Sequence, residues 1–238
     1  MTRRVVAGRS LVTPATWRAV RVDAIAPAAW RNGGGTTREI ARWAGARLSL
    51  ADIDRAGPFS VFAGLRRWIA VLHGRVGLRF AGSTIGLDAG SDPFAFDGAD
   101  APHADPGPVG GCRVLNLMLA PERAPGGGLR RVELRAGDVL DAGGACAAYV
   151  CRGTLIAGEA RVAAGDALVG DARVAAGDTL VGDDTVAAGG AHAGDDTVAA
   201  GGAHAGDADV EWRAGEDAVV LVARLGDGPV RPRAEVRA

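Results

Sequence analysis

The stretch Trp30-Arg31-Asn32-Gly33-Gly34-Gly35-Thr36-Thr37-Arg38-Glu39-Ile40-Ala41 decides the fold. Three consecutive glycines are costly in backbone entropy and persist where a chain needs a positive φ or a close approach. The residues after them, TTREIARW (36–43), alternate apolar and polar, the period of a half-buried strand. On that strand Thr37 and Glu39 share a face and Arg38 takes the other. The glycine run has two readings: a tight bend at a barrel corner, or a nest whose Gly33 and Gly34 amides face an anion. Asn32 either fixes the turn or hydrogen-bonds a ligand.

The same alternation spreads in both directions. WRAVRVDAI (17–25) predicts a strand ended by Pro27, and ARLSLADI (46–53) predicts another before Gly57-Pro58 breaks the chain. RRWIAVLHG (66–74) and VGLRFAG (76–82) predict a hairpin about Gly74, and Asp88-Ala89-Gly90 a turn. PFAFDG (93–98), a Pro-rich loop (99–111) and CRVLNLML (112–119) complete a first half at 1–120. PERAPGGG (121–128) reads as a linker, after which a second half (121–238) repeats the pattern in LRRVELRAGDVL, AAYVCRGTLIAG and EWRAGEDAVVLVARLG. Short strands at 8–12-residue spacing with Gly-Asp turns predict an all-β protein of two stacked halves. Inside the second half, GEARVAAGDALV (158–169) recurs at 170–181, 182–193 and 194–205, the last two copies identical. This tandem repeat region (158–205) is either a short β-solenoid or a copied strand–turn–strand unit that bulges out as a loop.

Composition narrows the function. Among 238 residues, 48% are hydrophobic and the net charge is −1, so neither a nucleic-acid surface nor an anionic-membrane surface is expected. No apolar run approaches the roughly 20 residues of a membrane span, and none of signal-peptide length opens the chain, so a cytoplasmic setting is the expectation. Lysine and glutamine are missing altogether and asparagine occurs only at 32 and 116, which gives those two amides weight. Three cysteines without CxxC spacing predict neither a disulfide framework nor a zinc site. Four scattered histidines without a His-x-His pair supply no metal triad, so neither metal nor cofactor is expected. No G-x-S-x-G is present, and the Asp52–Asp54 pair is the candidate for acid–base work. By alternation Arg47 and Ser49 share a face, as do Arg67 and Ile69. A buried arginine in a barrel mouth calls for a carboxylate.

Several blocks resemble the HutD/Ves family: the Trp30–Ile40 run, RLSLAD at 47–52, GPFS at 57–60 followed by Phe62, Gly64 and Arg67, VLHG at 71–74, FAFDG at 94–98 and LNLM at 115–118. They keep order and spacing over residues 15–120. The chain departs from the family pattern at Ala46, where Trp is usual, and at Arg66 and Val114, where acids are usual. The resemblance implies a bicupin without metal-binding histidines, associated with histidine utilisation or stress responses.

The main functional reading is a non-catalytic, regulatory bicupin that binds a small anionic metabolite such as urocanate or N-formylglutamate. Arg47 and Arg67 meet its carboxylate. Asn32, Thr37, Ser49 and Asn116 supply neutral hydrogen bonds, with Gly33, Gly34 and Glu39 beside them in the motif. Phe59, Phe62 and Phe96 form the apolar walls. Two rivals stand beside it: a metal-independent isomerase or lyase using Glu39 or Asp52 as base, and an interaction module acting through its repeat. A homodimer is compatible with all three.

Overall fold

A computed structural model describes residues 4–6, 16–107, 111–170 and 211–226, the first segment by its backbone alone. The repeat copies expected at 170–205 lie outside the described residues, apart from Gly170. No α-helix occurs among the described residues; the strands form four sheets, with three short 3-10 turns between them.

The first half pairs a six-stranded sheet with a four-stranded one. The six-stranded sheet runs, edge to edge, through Phe94–Asp97, Arg66–His73, Cys112–Leu119, Ala46–Ile53, Gly35–Trp43 and Ala28–Ala29. The four-stranded sheet holds Gly57–Pro58, His103–Asp105, Arg75–Arg79 and Thr84–Asp88. In the second half, one five-stranded sheet contains Gly128–Leu134, Ala218–Arg224, Ala145–Arg152 and Ala167–Gly170, and the other contains Val139–Asp141, Glu211–Ala214, Thr154–Ala157 and Ala160–Ala163. The fifth strand of each comes from the N-terminal end of the chain.

Three of the strand expectations are corrected. Trp17–Val20 does not open the first half: it pairs antiparallel with Ala167–Gly170 at the edge of a second-half sheet. Val22 then turns into a 3-10 segment (Val22–Ala24), and Val20 and Val22 are buried between the halves, so the apolar positions were read correctly but their partner was not. The hairpin expected at Gly74 is instead a corner between sheets. Arg75–Arg79 pairs with Thr84–Asp88 and His103–Asp105, never with Arg66–His73. Gly74 has φ +76°, and a Cβ there would stand 2.8 Å from the Gly111 carbonyl oxygen, so only glycine makes this corner without strain. Finally, Gly57-Pro58 and the loop at 99–111 each contain a short strand, and the two pair with each other through His103↔Pro58. The turn at Asp88 forms as read, with Asp88 Oδ1 accepting the Gly90 amide at 2.9 Å.

Alternation on two neighbouring strands decides what is core and what is site. Leu48 and Leu50, with Leu115, Leu117 and Leu119, face the second half and pack there with Tyr149, Cys146, Leu221 and Ala223. Burying a leucine stabilises by about 1.5–3 kcal/mol, so this leucine layer is what fastens the two halves together. The alternate residues, Arg47, Ser49 and Ala51 with Val114, Asn116 and Met118, point into the first half instead.

Candidate functional site

A cavity of about 240 Å³ opens inside the first half, between the two sheets. The cross-strand register sets its wall. Arg67 stands beside Phe96 on one side and Met118 on the other, and Met118 stands beside Arg47. One rung on, Asn116 is flanked by Ile69 and Ser49. A further rung carries Val114, Ala51 and Thr37. The front is closed by Trp30, Arg31 and Asn32 from the glycine turn and by Pro58, Phe59, Ser60 and Phe62 from the segment after the short strand.

Arg67 is the most deeply set charge of the wall, only 4% exposed. Its guanidinium carbon lies 5.2, 5.0 and 4.9 Å from the ring centres of Phe59, Phe62 and Phe96, and Nη1 donates to the Ser60 carbonyl at 3.3 Å. Phenyl rings attract a cation through their quadrupole but leave its full positive charge in place. The segment supplying the Phe59 and Phe62 rings is pinned at both ends: the Phe59 amide donates to the Pro102 carbonyl and the Phe62 amide to the Gly98 carbonyl. Asn116 is buried, and its Oδ1 accepts no hydrogen bond among the described residues. Leaving such an acceptor unmet costs about 1–3 kcal/mol, which marks it as a group awaiting a donor.

Of the residues named from the sequence, the structure brings Asn32, Thr37, Arg47, Ser49, Phe59, Phe62, Arg67 and Asn116 around one cavity. Phe96 sits beneath Arg67, buried, and supports the guanidinium from behind. Gly33 and Gly34 build the turn rather than the wall. The Gly33 amide donates to the Trp30 carbonyl at 3.0 Å and the Gly34 amide to Asn32 Oδ1 at 2.9 Å. Both donors are thereby used, and the tight-bend reading replaces the anion nest. Gly35 is the steric requirement of the run, because a Cβ there would drive into the Asp52 carbonyl oxygen and lie 3.3 Å from the Trp30 ring. Trp30 in turn is tied to Thr37, whose Oγ1 accepts from the indole nitrogen at 2.8 Å.

Glu39 lies outside the cavity. The ladder slips one residue between Glu39 and Ala41, and the carboxylate meets Arg47 Nε at 2.9 Å and Arg42 Nε at 3.0 Å. Burial works to raise its pKa, and the bonds and charges of Arg42 and Arg47 outweigh that, so it is held below the usual carboxylate value. Asp52 faces the other side of its sheet, bonded to Arg113 Nε at 2.7 Å and Arg38 Nη1 at 2.8 Å. Here too burial works upward and the two arginines prevail, so the carboxyl is held low. Neither acid has the raised pKa or the position of a general base for a substrate in this cavity. Among the described residues no group of three or more His, Cys, Asp or Glu side chains is arranged around a common point. No described helix is long and apolar enough to cross a membrane.

The sequence reading missed Trp30, Arg31, Ala51, Pro58, Ser60, Val114 and Met118 as lining residues. The alternation that pairs Arg47 with Ser49 also points to Ala51, and the same period counted from Asn116 points to Val114 and Met118, two positions away along its strand. Arg31 sits in a turn and Ser60 in an irregular segment, where alternation gives no signal.

Two β-sheet halves packed back to back, one of them hollow, define a cupin-like protein. The fold is shared with the bacterial pirin YhhW of Escherichia coli at a TM-score of 0.56 and 12% identity, over 90% of this chain and 100% of that one. More particularly, the HutD family model matches residues 23–198, and the chain belongs to the HutD family. The structure of HutD from Pseudomonas fluorescens SBW25 is similar at a TM-score of 0.60 and 24% identity, covering 90% of this chain and 100% of that one. That of PA5104, a conserved protein of unknown function from Pseudomonas aeruginosa PAO1, gives 0.60 and 27% over 89% and 99%. A Pseudomonas putida protein named for its place in the hutC 3′ region is 41% identical over 104 residues, 40% of this chain and 53% of that relative. The chain thus spans about half the length of the curated relative it matches.

Proposed function

We propose that this protein binds a small carboxylate metabolite of histidine degradation, urocanate or N-formylglutamate, and acts as a regulator rather than a catalyst. One observation carries the reading: among the described residues the cavity is lined by Arg31, Arg47 and Arg67 and by no acidic side chain. In a partly enclosed site of low dielectric, such an excess of positive charge favours an anion of matching size. The pathway is suggested by family membership and by the hutC-region relative. A cytoplasmic protein, alone or as a homodimer, suits a ligand produced by cytoplasmic catabolism.

Thermal denaturation against a panel of histidine-degradation intermediates tests the proposal, because selective binding raises Tm by linkage. Arg67→Ala is expected to weaken binding by about 2–5 kcal/mol, the scale for truncating one partner of a desolvated charge pair. Arg66→Ala is the control: it is exposed on the opposite face, its guanidinium 6.0 Å from the Trp68 ring, and should bind normally. Equal effects from both substitutions, or no carboxylate binding at all, would overturn the proposal.

A further inference from the structure

We infer that the outward face of the four-stranded sheet in the first half docks a second copy of this chain, through the strands Arg75–Arg79 and Thr84–Asp88. On these strands Val76, Leu78 and Leu87 turn inward and are buried in the first-half core, with Ile85 packed against it. The alternate residues, Arg75, Gly77 and Arg79 with Thr84, Gly86 and Asp88, share the other face. Register sets them in three rungs: Arg75 opposite Asp88, Gly77 opposite Gly86, and Arg79 opposite Thr84. The middle rung carries no side chain, so the face is hollow at its centre and floored by backbone.

Nothing among the described residues calls for glycine at either position. Neither Gly77 nor Gly86 has a positive φ. A Cβ on Gly86 would meet no atom within 4 Å, and one on Gly77 would lie 3.8 Å from the Asp105 carbonyl oxygen, an ordinary contact. A glycine inside a strand costs backbone entropy, and where the fold does not require it, it marks the close approach of a ligand or of another backbone. The charges around the hollow decide between these two. Among the described residues they are Arg75 and Arg79 against Asp88 and Asp105, with His103 beside them. Two of each sign leave no excess to draw a small ion, whereas an isologous interface needs a patch that complements itself. A two-fold axis running along the two strands, midway between them, supplies that match. It exchanges the members of every rung, so Arg75 of one copy faces Asp88 of the other and Arg79 faces Thr84. The two glycine rungs then meet where side chains would otherwise hold the sheets apart.

Sedimentation equilibrium over a concentration series, with Tm measured on dilute protein, tests this. The native protein is expected to show a monomer–dimer equilibrium. Gly86→Thr should raise the dimer dissociation constant at least about tenfold. Its Tm should hold or rise, because the new side chain enters open space and suits a strand. Arg75→Asp and Asp88→Arg should each fail to self-associate, since each sets like charges across the interface. An equimolar mixture of the two variants should dimerise, because opposite charges face each other again in the mixed pair, and no contact within one chain restores that. A native protein that stays monomeric throughout the series overturns the inference. So does a native dimer that Gly86→Thr leaves unchanged, or a mixture that stays monomeric while both variants remain folded.

Discussion

Asp52→Asn is expected to cost about 2 kcal/mol of stability at neutral pH and to flatten the acid limb of the stability curve. Asp52 Oδ1 accepts from Arg113 Nε at 2.7 Å, and Oδ2 accepts from Arg38 Nη1 at 2.8 Å. The side chains of Asp52, Arg38 and Arg113 are 24%, 16% and 35% exposed, so water screens these pairs in part. Two charge-assisted bonds of short length, each at the upper end of the roughly 0–1 kcal/mol surface range, give that total. They span three adjacent strands, Gly35–Trp43, Ala46–Ile53 and Cys112–Leu119, and Arg113 also reaches Asp23 at 3.6 Å in the segment that crosses from the second half. Because the folded-state pKa of Asp52 is lowered, its contribution is complete above the unfolded carboxyl value of about 3.9 and is lost as pH falls through the folded-state value. Urea unfolding of native and variant at pH 7 and near pH 3, with a double-mutant cycle through Arg113→Met, measures it. The two proteins should differ at pH 7 and converge in acid. A loss under about 0.5 kcal/mol at pH 7, with parallel pH profiles, would refute the reasoning.

Two further outcomes follow from packing and burial. Gly35→Ala should lower stability by at least about 2 kcal/mol, the middle of the overpacking range, because its Cβ meets the Asp52 carbonyl, which cannot swing away as a side chain could. An unchanged Tm would mean that the turn yields. The three thiols should resist labelling at pH 8 in the folded protein and react promptly in denaturant: burial pushes Cys112 and Cys151 up to about 11 and Cys146 up to about 12. Rapid labelling of all three without denaturant would contradict that.

What could be read from the sequence was whatever depends on strand periodicity. RLSLAD and LNLM place leucines on one face and Arg47, Ser49 and Asn116 on the other, and one buried layer plus one cavity wall follow from that alone. What could not be read depends on partners distant in sequence. Trp17–Val20 has a half-buried pattern that fits the edge of either half, and only Ala167–Gly170, some 150 positions away, determines which. The corner at Gly74 looks like a hairpin because a positive φ serves both. Glu39 was grouped with Thr37 by strict alternation, but the one-residue slip after it frees the carboxylate to reach Arg42 and Arg47. A ladder irregularity of this kind leaves no compositional trace.

The two halves share an architecture, but their described interiors differ. In the second half the interior is filled by Leu140, Leu155, Leu168 and Trp212, all at 0% exposure, with Trp17 set edge-on to Trp212 at 4.8 Å. Three of its buried polar side chains meet protein groups: Asp138 accepts the Arg135 amide, Thr154 donates to Glu216, and Arg224 donates to the Gly143 carbonyl; the Trp17 and Trp212 indole nitrogens find no acceptor among the described residues. In the first half the interior rungs carry Ser49, Arg67 and Asn116 where leucines would pack, and Asn116 Oδ1 has no partner among the described residues. An apolar residue of similar size at position 116 would stabilise the empty fold, since an unmet buried acceptor costs more than a hydrocarbon there. Stability therefore does not account for an amide buried in the cavity wall. A ligand that brings a donor to the Asn116 amide removes that cost, and the second half, filled by Trp212 and its leucines, packs behind the sheet that carries the cavity wall.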